Sequence, residues 1–98
     1  MSANTTAIVT ISNRLGLHAR PAMMLAETAM RFDADISVRR LDQDAGVDAK
    51  SIMQLMMLAA VCGTELEFTA SGTDADAAMS ELTALVKGNF SEDAVDDH

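Results

Sequence analysis

The chain has 98 residues, with 7 Lys plus Arg against 15 Asp plus Glu, a formal charge of −8. That length allows one domain with a thin core of small apolar side chains, and 49% apolar with 22% charged residues argues against a disordered chain. The acidic balance argues against a duplex-binding protein, and three aromatics, Phe32, Phe68 and Phe90, give little for stacking on bases.

In chain order, Thr5 to Ser12 alternates, with Ala7, Val9 and Ile11 on one side, which predicts a strand with one inward face. Asn13 to Leu17 contains Gly16 and reads as a loop. Ala19 to Phe32 carries Ala22, Leu25, Ala26, Ala29 and Phe32 at helical spacing, with Pro21 in the first turn, where its missing N–H costs nothing. Asp35 to Leu41 is a second strand with Ile36 and Val38 inward, Asp42 to Gly46 a turn, and Val47 to Ala49 a short third strand. Ser51 opens a short helix to about Ala60, and Gly63 breaks the chain. Thr64 to Ser71 alternates with Leu66, Phe68 and Ala70 inward. Thr73 and Asp76 form an acidic variant of the capping box for a last helix, whose stripe of Ala75, Ala78, Met79, Leu82, Leu85 and Val86 stops at Lys87-Gly88. The order βαββαβα, with one apolar face per element, predicts an α+β open-faced two-layer sandwich: a four-stranded antiparallel sheet with three helices on one face.

Residues 1–88 read as the domain and 89–98 as an acidic tail expected to fray. The last ten residues hold Glu92, Asp93, Asp96 and Asp97 and no base, so without them 11 acidic residues face 7 basic ones. A single cysteine, Cys62, cannot form an internal disulfide and is expected to be a small buried or half-buried apolar group. No Cys/His cluster suggests a metal. No leader is evident, and no apolar run nears the ~20 residues that span a bilayer, so a cytosolic domain without membrane insertion is expected.

The most informative segment is Asn13-Arg14-Leu15-Gly16-Leu17-His18-Ala19-Arg20-Pro21-Ala22. His18 falls at the expected N-cap of the first helix, where the backbone N–H groups of Ala19 and Arg20 point outward and the helix dipole is positive, a ready site for an anion. A neutral ring nitrogen there is a nucleophile, and Arg20 offers paired donors to phosphoryl oxygens. Composition and spacing alone yield an anion or phosphoryl site, or a histidine that merely starts a helix.

Gly16-Leu17-His18-Ala19-Arg20-Pro21-Ala22 resembles the active-site signature of HPr, the histidine phosphocarrier of the phosphoenolpyruvate-dependent phosphotransferase system. Asp48-Ala49-Lys50-Ser51-Ile52-Met53-Gln54-Leu55-Met56 resembles that family's regulatory-serine motif, at the family's spacing. The resemblance implies that His18 takes a phosphoryl group on Nδ1 from phosphorylated enzyme I and passes it to a IIA domain. It implies that Arg20 and the Ala19 and Arg20 backbone steady the group, and that Ser51 is phosphorylated by an HPr kinase/phosphorylase. It calls for no cofactor, and a monomer is the default for a carrier.

Ser51 also reads as an ordinary N-cap. In the apolar helix after it, Leu55 and Leu58 are core candidates. Ile52, Met53 and Met56 match positions the family shows to its partners, and unbranched Met side chains repack against several partners. Arg14, Arg20 and Lys50 are expected to gather around His18 and to attract acidic partners. Two other readings remain at this point: a nitrogen-related HPr paralogue, or a regulatory interaction module acting through Ser51 and the Met53/Met56 face.

Overall fold

The computed structural model describes residues 4–90. Its elements are β1 (Asn4–Thr10), α1 (Ala19–Met30), β2 (Asp35–Arg40), β3 (Val47–Asp48), α2 (Ile52–Met57), β4 (Glu65–Ser71) and α3 (Ala75–Lys87). The strands form one antiparallel sheet in the order β1-β4-β2-β3. β4 is central because it alternates most cleanly: Leu66, Phe68 and Ala70 are buried while Glu65, Glu67, Thr69 and Ser71 face outward to differing degrees. Register places Val9 opposite Leu66 on one side, and Val38 and Ile36 opposite Phe68 and Ala70 on the other. Period-2 patterning thus brings three apolar rows onto one face.

The helices cover that face. α3 packs on β1 and β4, and α1 packs beside α3 and α2. The α1 stripe buries Pro21, Ala22, Leu25, Ala26 and Ala29, and α3 buries Ala75, Ala78, Met79, Leu82 and Val86. Small side chains on α1 let the helix sit close to its neighbours, which is how a chain with so few aromatics closes its core.

Several sequence expectations are corrected. α2 ends at Met57 rather than near Ala60, because Ala59 takes the left-handed conformation (φ 53°) and turns the chain away. Thr73 does not cap α3. The N-cap is Asp74, and its carboxylate turns aside to accept the N–H groups of Asp33 and Ala34, both at 2.8 Å, tying α3 to the approach to β2. Cys62 is exposed, with its Sγ 3.7 Å from the Ser12 carbonyl, since it stands in the turn that Gly63 creates. Phe90, expected in the tail, is fully buried in the core. The acidic residues Glu92, Asp93, Asp96 and Asp97 lie outside the described residues. Among those described, no helix is long and apolar enough to cross a membrane.

Candidate phosphoryl site at the start of helix α1

The loop of residues 13–18 delivers His18 to the helix end. Asn13 is buried and its side-chain amide donates to the Gly16 carbonyl at 2.7 Å. The Gly16 N–H closes back on the Asn13 carbonyl at 3.1 Å, and the Leu17 N–H donates to the Ala60 carbonyl at 2.7 Å. Leu17 itself is buried and pins the loop from below.

Gly16 is required twice over. Its φ is +72°, and a Cβ built on it would lie 2.6 Å from the Ala60 carbonyl oxygen and 2.8 Å from the Val61 Cα. Both obstacles are backbone, so no side-chain rotation relieves them. Gly16→Ala should therefore destabilise the fold by about 2–3 kcal/mol and slow phosphate uptake. Urea unfolding checks this, and an unchanged midpoint would show that the loop does not depend on its contact with residues 60–61.

His18 is the N-cap of α1, in extended conformation (φ −86°, ψ −168°), and its ring makes no capping hydrogen bond to the helix. The donors at this end can be followed one by one. The His18 N–H goes to the Gly16 carbonyl at 3.0 Å, Pro21 has none, and the Ala22 N–H goes to the His18 carbonyl at 3.0 Å. That leaves the Ala19 and Arg20 N–H groups as the outward donors at a positive helix end. Pro21 thus occupies the third helical position and removes a competing donor. His18 is half-buried; Ala19 and Arg20 are exposed.

Arg14 is exposed on the same loop and Arg20 in the first turn, so both stand at this end. Lys50 does not. Its Nζ donates to the Phe32 carbonyl at 2.9 Å, just past the far end of α1. Twelve residues at ~1.5 Å each put that end ~18 Å from the first turn. The expected cluster of three bases is therefore two arginines, and Lys50 instead satisfies a carbonyl at the other pole of the helix, where a cation is favoured. A hollow of about 490 Å³ beside β2 and β3 is lined by Lys50, Ser37, Thr69 and others, and His18 does not border it.

Ser51 caps α2: its Oγ accepts the Gln54 N–H at 3.2 Å, while the Gln54 side chain accepts the Asp48 N–H at 3.0 Å. Asp48 also accepts the Lys50 N–H at 2.9 Å, so the approach to the helix is held by its own side chains. Of the α2 residues, Leu55 and Leu58 are buried as expected, and Ile52, Met53 and Met56 are exposed. The sequence reading passes over Met57, which at 77% exposure equals Met53 at 78%, and over the exposed Leu15 and Val61 on the loops beside the site. The apolar run after Ser51 signalled an unburiable face for Met57; nothing in the sequence marked Leu15 or Val61.

The open-faced sandwich with a histidine at the N-cap of its first helix defines a class of small phosphoryl-carrying domains. The family described as the PTS HPr component phosphorylation site matches residues 5–88. The phosphocarrier protein HPr of Treponema pallidum is 44% identical over 85 residues, covering 87% of this chain and 94% of its own. The phosphocarrier protein NPr of Escherichia coli is 39% identical over 85 residues, with 87% and 93% covered. The crystal structure of HPr-C-His from Thermoanaerobacter tengcongensis superimposes with a TM-score of 0.83 at 35% identity, over 90% of this chain and 97% of that one. The chain belongs to the HPr family, and it is a phosphocarrier of the phosphotransferase system.

Proposed function

We propose that His18 is the residue that carries the phosphoryl group, taking it from phosphorylated enzyme I and passing it to IIA domains. The observation that supports this most is the helix end: His18 is the N-cap of α1 but its ring makes no capping hydrogen bond to the helix, and among the described residues the Ala19 and Arg20 N–H groups are left to meet an anion there. His18 Nδ1 attacks phosphorus as the donor's N–P bond breaks, and the reverse exchange with a IIA histidine empties the site. Phosphorus changes partners without water entering. The chain contributes positioning and charge: two backbone donors, the helix dipole and the Arg20 guanidinium. In this reading it is a carrier rather than a stand-alone enzyme, and it works as a cytoplasmic monomer whose site must stay open to successive partners.

The test is incubation with enzyme I and phosphoenolpyruvate, followed by intact mass and lability of the adduct. One phosphoryl group, lost in acid and retained in base, is expected on the peptide containing His18. No incorporation, or an acid-stable adduct, overturns the assignment.

Ser51 is the proposed regulatory site, modified by an HPr kinase/phosphorylase, and Arg14, Ile52, Met53 and Met56, joined by Met57, form the proposed docking face. Lys50, at the other pole of α1, is not part of the His18 end. Ser51→Asp keeps a good N-cap at a positive helix end, so melting should barely change. The added charge sits beside the exposed methionines and should weaken binding to enzyme I about tenfold, or ~1.4 kcal/mol. Equal affinities in a titration would remove Ser51 from the docking face.

A further inference from the structure

Arg40 breaks the pattern of its strand. In β2 the buried positions are Ile36 and Val38, and Arg40 comes next in the same parity, opposite Leu66 of β4. A guanidinium at the end of a core-facing row is aimed at the helical layer, and it meets the end of α2. Its Nη1 donates to the Leu58 carbonyl at 3.0 Å and the Ala59 carbonyl at 3.3 Å. Its Nε and Nη2 hold the Asp42 carboxylate in a fork at 3.0 and 2.9 Å. This hydrogen bonding, partly opposed by desolvation, keeps the Asp42 carboxyl below its ordinary pKa and the Arg40 guanidinium above its own.

The carbonyls that Arg40 holds immediately precede Ala60, the residue that supports the loop of the proposed phosphoryl site. Ala59 is left-handed (φ 53°), a conformation alanine rarely adopts and that must be held from outside. The next residue, Ala60, offers the carbonyl to which Leu17 N–H is bonded at 2.7 Å, and against which Gly16 is closely packed. His18 follows Leu17 directly. A continuous set of contacts therefore runs from the Asp42 carboxylate through Arg40, the Leu58 and Ala59 carbonyls and Ala60 to the backbone of the site loop.

We infer that Arg40 is a positioning residue for the His18 site: by fixing the Leu58 and Ala59 carbonyls it sets the place of the Ala60 carbonyl from which the site loop hangs. Its effect on transfer rests on the proposed role of His18, but its effect on the loop does not. Arg40 touches neither His18 nor the incoming group, so it acts on the rate of the bound step more than on docking.

The test uses the full chain with Arg40→Met, which keeps the stem and removes every donor. Hydrogen exchange of the Leu17 amide is compared with that of Leu66 and Phe68 in β4, and phosphoryl transfer from enzyme I is measured at varied carrier concentration. Leu17 exchange should quicken about tenfold beyond any change in β4. kcat should fall about five- to tenfold with KM within about twofold. Adding Ala59→Gly, which makes the left-handed turn intrinsic to residue 59, should restore about half of the lost protection and rate. Unchanged Leu17 exchange overturns the inference, and so does a loss shared equally by β4, which would make Arg40 a general stabiliser. If Arg40→Met does not fold, Asp42→Asn, which loosens the fork and keeps the arginine, gives the same comparison at about threefold amplitude, and no change there also overturns it. Should Leu17 respond while wild-type chain takes up no phosphate, the assignment of His18 fails and the positioning role stands.

Discussion

A His18→Ala chain should fold normally and take up no acid-labile phosphate from phosphorylated enzyme I. The two halves of that result have separate causes. The ring makes no capping hydrogen bond to α1, so its removal costs the helix no cap, and the backbone bonds of residue 18, to the Gly16 carbonyl and from the Ala22 N–H, do not need the side chain. Alanine is a poorer N-cap than a polar residue, which limits the stability change to about 0.5–1 kcal/mol. Function, in contrast, is lost completely. The Ala19 and Arg20 donors and Arg20 itself can still attract a phosphoryl group, but they carry no nucleophile to accept it. Intact-mass measurement before and after acid treatment reads the uptake, and thermal unfolding reads the fold. An acid-labile adduct on the alanine chain would place the carrier residue elsewhere; a melting temperature lowered by more than about 8 °C would mean that the ring stabilises the fold after all.

The sequence and the structure agree mostly where the controlling interaction is short in sequence. The helix start that carries the proposed phosphoryl site is of this kind. His18, Arg20 and Pro21 lie within one turn, and the donors left at that end follow from backbone geometry and the absence of an N–H on proline. The alternations of β1, β2 and β4 and the stripes of α1 and α3 are equally local, and they place the right residues inside. Two errors are local, the end of α2 at the left-handed Ala59 and the exposure of Cys62 in its turn; others fall where a side chain meets a distant partner. Lys50 lies at a helix start, as His18 does, which suggests that the two are near each other, but its ammonium reaches the Phe32 carbonyl, and only the packing of α2 on α1 decides which pole of α1 that is. Asp74 leaves its own helix unaided to bind two N–H groups forty residues upstream. Arg40 carried a visible signal, since Ile36 and Val38 fix the parity of the strand and the next inward position is a charge; the carbonyls it serves are eighteen and nineteen residues away.

The charge of −8 is a further case. Half of it belongs to the last ten residues; in the rest of the chain Arg39 pairs with its cross-strand partner Glu67 at 2.9 Å and Arg31 pairs with Glu81 at 2.9 Å across α1 and α3. Arg40 is occupied by Asp42. Lys50 is on a carbonyl, and Arg14 and Arg20 stand at the start of α1, where the backbone adds positive potential. In the proposed reading an acidic partner is drawn to this small region against a repelling background, so docking should weaken with added salt.

The second large effect is expected at Phe90. Its ring is fully buried, and with Phe68 it leads the largest enclosed side chains, although the family match ends at residue 88. Removing such a ring leaves a cavity that costs about 3–5 kcal/mol. Against the ~5–15 kcal/mol that holds a domain of this size together, Phe90→Ala should lower the melting temperature by about 15 °C or more, which circular dichroism measures directly. The backbone makes the dependence sharper. Asn89 and Phe90 both lie at positive φ, 57° and 54°, a cost of about 1 kcal/mol each that the buried ring offsets. Without the ring, the left-handed turn is held less firmly, and the Asn89 carboxamide, which accepts the Ser12 hydroxyl, is less well fixed beside the strand end that leads into the site loop. Phosphate uptake should therefore slow in the alanine chain even at temperatures where it remains folded. A Phe90→Ala chain that melts within about 4 °C of wild type would show that residue 90 is dispensable and return the boundary of the domain to Gly88.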